Sequence, residues 1–99
     1  MDIVESEMLH IRANWIEVVH GDLKEFSIKE DKIIGEWRHG NEKSVVTQSL
    51  KTEKFYRIIY RTGDDMSLQD CNFPNSILIE QVKPITKEIT EYVPLDFVT

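Results

Sequence analysis

Three histidines and one cysteine are the residues of this chain best suited to hold a metal or attack a substrate. His20 and His39 each precede a glycine, in His20-Gly21-Asp22 and His39-Gly40-Asn41. Turns at these glycines would bring both imidazoles to one rim of a small β-structure. With His10 they could then ligate a metal, because neutral imidazole is a common ligand. No His-x-His and no second cysteine accompanies them. The expectation is therefore no metal site, with His20 and His39 the residues that one would use. Cys71, in Asp70-Cys71-Asn72-Phe73-Pro74, becomes a nucleophile only beside a base that lowers its pKa. His39 is the base at hand if the fold brings it near. His20, His39 and Cys71 together would make a small metal- or cysteine-dependent enzyme. The plainer reading is three histidines beside turns and one inert thiol, in a chain that is not an enzyme and carries no cofactor.

Carboxylates offer a second chemistry. Glu30, Asp31, Asp64, Asp65 and Asp70 all fall in polar stretches that read as turns. The cluster Asp64, Asp65 and Asp70 lacks the alternating oxygen ligands and central glycine of a hard-cation loop. As exposed charges these five residues suit contacts to a basic protein partner, and could mimic phosphates if that partner is a nucleic-acid enzyme. Aromatic residues offer a third. Trp15, Trp37, Tyr56 and Tyr60 would line the pocket of a small-ligand-binding barrel. Phe55, Arg57, Ile59 and Arg61 alternate along one strand face, an arrangement that can stack bases and hold phosphates. Two arginines in an acidic chain are few for that task, so nucleic acid is not the expected partner.

The bulk numbers agree. The 99 residues carry 12 basic and 18 acidic side chains, for a net charge of −6. Residues 1–50 hold six basic and ten acidic groups and residues 51–99 hold six and eight, so no basic block exists for a nucleic-acid backbone. With 40% hydrophobic and 30% charged residues the balance is that of an ordinary globular protein. One cysteine allows no internal disulfide, which points to a reducing compartment. An acidic start without an apolar run lacks the pattern of a signal peptide, and no stretch approaches the ~18 apolar residues of a membrane span. The expected setting is the cytoplasm, with no membrane association.

The elements that must position these groups read mainly as β. Val4, Met8, Ile11, Trp15 and Val18 follow a helical spacing toward Gly21, yet Trp15-Ile16-Glu17-Val18-Val19 is rich in β-formers, and the stretch is expected to be a strand by residues 12–20. Glu25 to Ile28 and Ile33 to Arg38 read as two short strands around a polar turn at Lys29-Glu30-Asp31-Lys32. His39-Gly40-Asn41 makes the next turn. Lys43 to Leu50, Phe55 to Thr62 and Ile77 to Val82 follow as strands, the last stopped by Pro84, and Ile85 to Val93 alternates imperfectly. Residues 63–76 form the longest polar interruption. Gly35-Glu36-Trp37 resembles the Gly-x-Trp of lipocalin-like barrels, in which the tryptophan closes one end. The motif lies farther from the N-terminus than in that family, and about sixty residues follow it, too few for eight strands.

Six or seven short strands at this spacing predict one domain over residues 1–99: a small antiparallel barrel or sandwich, mainly β. The alternative is α+β, an N-terminal helix packed on an antiparallel sheet. The expected core is Ile11, Trp15, Val18, Phe26, Ile28, Ile34, Trp37, Val46, Tyr56, Ile58, Tyr60, Ile77, Ile79 and Val82. The function these features suggest is a small acidic protein-binding module of the inhibitor, immunity or phage-accessory kind. An edge strand would offer a route to a homodimer.

Overall fold

A computed structural model describes residues 2–72, 77–85 and 92. The chain opens with two helices, α1 (Ile3–Ala13) and α2 (Trp15–Val19). Here the helical spacing prevails over the β-formers, and the strand expected at 12–20 is absent. Asp2 is the N-cap, its carboxylate accepting the Glu5 N–H at 2.8 Å, which satisfies one of the orphan donors of the first turn. The helix breaks at Asn14, whose side-chain amide turns back to donate to the His10 carbonyl at 3.0 Å. Gly21, at φ +74°, ends α2 in the left-handed region open to glycine.

Four strands follow in one antiparallel sheet, in the order β1 (Phe26–Trp37), β2 (Gly40–Ser49), β3 (Phe55–Gly63) and β4 (Leu78–Val82). A short helix, α3 (Leu68–Cys71), interrupts the connection between β3 and β4. This open sheet is not a closed barrel, and the α+β arrangement fits it. Six or seven strands are not found among the described residues; the strand expected at Ile85 to Val93 lies almost wholly outside them.

The turn expected at Lys29–Lys32 is also absent. Those residues continue β1, with Glu30 opposite Val46 and Lys32 opposite Ser44. In Lys-Glu-Asp-Lys only Asp31 favours a turn, and no glycine or proline accompanies it. On an edge strand exposed on both faces, a polar run is compatible with extension. Two register shifts, between Ile28 and Glu30 and between Ile33 and Gly35, bend β1. The reversal expected at His39-Gly40-Asn41 comes one residue earlier, at Arg38-His39, with Trp37 paired to Gly40. A side chain at Gly40 could not fit, because a Cβ there would lie 2.1 Å from the Thr62 carbonyl oxygen.

The helices cover one face of the sheet. Ile11, Val18 and Val19 bury against Phe26, Val45, Tyr56, Ile58, Tyr60 and Ile79. Pairing puts Val45 opposite Ile58 and Ile58 opposite Ile79, so these side chains share the covered face. Val46 points the other way, which corrects its expected place in the core. Ile34 is also corrected: it sits at the second register shift, 46% exposed. Trp15 and Ile28 pack at the margin of the core rather than inside it. No described helix covers the second face, where Val46, Phe55, Arg57, Ile59 and Arg61 lie with Leu78, Glu80 and Val82.

Candidate functional site

The helical layer is pinned to the sheet by one carboxylate. Glu7 of α1 accepts hydrogen bonds from the Thr52 hydroxyl at 2.6 Å, the Tyr56 hydroxyl at 2.7 Å and the Ser49 hydroxyl. Burial alone would raise the Glu7 pKa, but the three donors and nearby Lys51 outweigh it and hold the carboxyl below its ordinary range. Tyr56 is pushed well above the normal phenol value by burial and by the Glu7 charge. It is therefore a neutral donor fixed to Glu7, not a pocket-lining group. This cluster supplies structure.

The other expected pocket residues are distributed over both faces. Trp15 and Tyr60 meet, their rings 5.6 Å apart. Trp37 lies on the opposite face, with the Arg61 guanidinium 5.1 Å over its ring, His39 edge-on at 5.1 Å, and its indole N–H donating to the Thr62 carbonyl at 2.7 Å. It closes no barrel, contrary to what the lipocalin resemblance implies. Trp15, Trp37, Tyr56 and Tyr60 do not surround one cavity.

His20 and His39 are likewise separated. His20 follows α2, just before β1 begins, and His39 follows the end of β1. A strand of twelve residues, at most about 40 Å at ~3.3 Å per residue and bent by its two register shifts, runs between these ends. His10 stacks on Phe26 at 6.0 Å. Among the described residues no group of three His, Cys, Asp or Glu side chains is placed to hold a metal. Cys71 is buried, and its Sγ lies 2.9 Å from where a Gly63 Cβ would be; that same point is 3.5 Å from the His39 carbonyl oxygen. The loop thus brings Cys71 near the His39 backbone, while the His39 ring packs on Trp37.

Asn72 is a residue that sequence reasoning passed over. Nearly fully buried, its side-chain oxygen accepts the Arg61 N–H at 2.8 Å, and its Nδ2 donates to the carbonyls of Arg61 at 3.0 Å and Leu68 at 2.7 Å. Pairing of β3 with β4 runs only from Phe55 to Ile59. Asn72 satisfies the next outward-facing backbone groups of β3. An isolated asparagine in a polar loop gives no signal of this.

The five expected partner-binding carboxylates fall into two groups. Glu30 and Asp31 lie within β1 and are neutralised locally: Asp31 pairs with Lys43 at 2.9 Å and Glu30 with Lys32 at 3.1 Å. Asp64 and Asp65 follow β3, where with Arg38, His39, Gly40 and Met66 they line a concavity of about 320 Å3. Both are exposed, and neither has a salt bridge among the described residues. Their loop is held by the Asp64 N–H donating to the His39 carbonyl at 3.2 Å and by a bridge between Gly63 and Met66. Asp70 follows on α3, its N–H capped by the Ser67 hydroxyl at 3.2 Å.

The arginines of the open face are engaged as well. Arg57 pairs with Glu80 at 3.2 Å and Arg61 with Glu42 at 3.7 Å. No helix of the described chain is long and apolar enough to cross a membrane. Comparison with protein-family models, with curated proteins and with solved structures finds no match to this chain.

Proposed function

We propose that this chain is a small, non-enzymatic protein-binding module of the inhibitor, immunity or phage-accessory kind, working in the cytoplasm on a basic protein partner. The observation that carries the reading is the rim at the end of β3. There Asp64 and Asp65 are exposed on a hydrogen-bonded loop and lack a salt bridge among the described residues, while Glu30, Asp31, Glu42 and Glu80 each have one. Carboxylates on a held loop and in no salt bridge keep more of their field for an incoming partner than paired ones do, even with Arg38 lining the same concavity, and they lose little freedom on binding. Asp70, exposed on α3, would add a further carboxylate; Glu30 and Asp31, already paired, contribute less. The net charge of −6 would steer a basic protein toward the surface. A single buried thiol suits a reducing compartment.

Affinity capture from cell lysate tests the proposal, using the wild-type chain beside the triple variant D64K/D65K/D70K. A basic protein should be retained at about 50 mM salt and released near 500 mM, where screening shortens to a few ångströms. The triple variant should fail to retain it. Absence of any partner at low salt, or equal retention by the variant, would defeat the proposal.

A further inference from the structure

A second concavity lies on the sheet face that no described helix covers, away from the aspartate rim. Its volume is about 340 Å3, within the range that takes a few side chains of a ligand. Val46, Phe55 and Val82 form an apolar floor, and Pro84 and Ile85 form one wall. The charge around it is opposite to that of the chain as a whole. Lys29, Arg57 and Lys83 border the cleft, against the single acid Glu30, which pairs with Lys32. Lys29 and Lys83 are exposed and have no salt bridge among the described residues.

Arg57 adds a directional feature. One terminal nitrogen donates to Glu80, but its Nε is buried without a hydrogen-bond partner. A buried donor left unpaired is costly; Nε has almost no exposed surface, so a ligand meets the partly exposed remainder of the guanidinium first and reaches Nε only when the Arg57 side chain shifts. The neighbouring Ser44 hydroxyl, on the same face of β2 as Val46, is also buried and unpartnered. Apolar floor, surplus cations and an unsatisfied guanidinium N–H together describe a site for a carboxylate next to an apolar side chain.

We infer that this cleft binds an acidic, apolar segment of another polypeptide, with an Asp or Glu carboxylate on the Arg57 guanidinium, Lys29 and Lys83 flanking it, and a Leu or Phe side chain on Val46, Phe55 and Val82. Charge complementarity selects this occupant. A basic segment would be repelled by Lys29 and Lys83, which have no salt bridge among the described residues, and an uncharged one would offer them no counter-charge. The site is distinct from the aspartate rim and opposite to it in the charge it selects.

Nuclear magnetic resonance titration of the full chain tests this with two capped hexapeptides, one alternating Asp with Leu and Phe, the other alternating Lys with Leu and Phe. The acidic peptide should shift the signals of Val46, Phe55, Arg57 and Val82 saturably, and the basic peptide should not. The double variant K29E/K83E, altered at exposed positions and checked for an unchanged unfolding midpoint, should weaken binding at least ~10-fold. Any of four results overturns the inference: no shift with the acidic peptide at millimolar concentration, equal shifts with the basic peptide, shifts confined to other surfaces, or unchanged binding by the double variant. Concentration-dependent shifts of the cleft without peptide would assign it instead to a second copy of the chain. Nuclear Overhauser contacts from residues 93–99 in the free protein would assign it to the chain's own end. Either would overturn the inference too.

Discussion

Asn72 takes the place of a strand beside Arg61, its side-chain amide bonding both the N–H and the carbonyl of that residue. A backbone edge that would otherwise need water or another strand is thereby closed by one side chain. Replacing Asn72 by Ala should cost about 2–3 kcal/mol, because it orphans buried backbone groups. Asp should also destabilise, since it keeps the acceptor for Arg61 N–H but loses the donor that serves two carbonyls. Urea denaturation of the two variants measures this; a midpoint unchanged from wild type in both would show that water replaces the amide without loss.

Glu7 makes stability depend on acid. Its folded-state pKa lies below its unfolded value, near 4.5. The stabilisation it supplies is therefore fully present above that value and lost as pH falls through the lower, folded one. Unfolding free energy should decline on acidification below about pH 4.5, and this share of the decline should vanish in Glu7→Gln. At neutral pH that variant should lose about 1.5–3 kcal/mol, the range for a hydrogen bond to a charged group. Thermal unfolding of both proteins between pH 3 and 7 checks the sign; parallel curves would refute it.

Val45 and Val46 are neighbours with opposite fates. Val45 is completely buried beneath the helices, whereas Val46 faces the side that no described helix covers. Val45→Ala should cost about 2 kcal/mol through lost burial and a residual void. Val46→Ala should cost less than about 1 kcal/mol. Equal losses in chemical denaturation would contradict the register.

Cys71 should be silent toward thiol reagents in the native protein. It is only 4% exposed and covered by the Gly63–Met66 loop. Reaction with an aromatic disulfide should be slow in buffer and complete within the mixing time in denaturant. Rapid native reaction would reopen a chemical role for the thiol.

Legibility differed by element. The alternation Tyr56, Ile58, Tyr60 was enough to give β3 and its buried face, because period-two patterning survives whenever one face packs and the other does not. The same rule cannot tell Val45 from Val46 when both are valine, since parity is fixed by partners elsewhere in the sheet. The polar run of β1 carried turn-like composition because an edge strand beyond the helices has no core to face. At the N-terminus the cap at Asp2 and the spacing from Val4 to Val18 outweighed local β-propensity, an override by tertiary packing. Of the site residues, Asp64 and Asp65 were readable as exposed because Gly63 ended the strand before them. The distance between His20 and His39 was not readable, because it depended on β1 being one strand rather than two.

The bonds of Glu7 to Ser49, Thr52 and Tyr56 span 42, 45 and 49 residues of sequence. During synthesis the first helix leaves the ribosome long before its anchor exists. Its apolar stripe must wait without the sheet until β2, β3 and then β4, the strand it packs against, have emerged. Closure of so long a loop is entropically costly and comes late in folding. The nascent chain thus has an interval in which a chaperone can hold the helix, and that interval lasts beyond Tyr56, until β4 has cleared the exit tunnel.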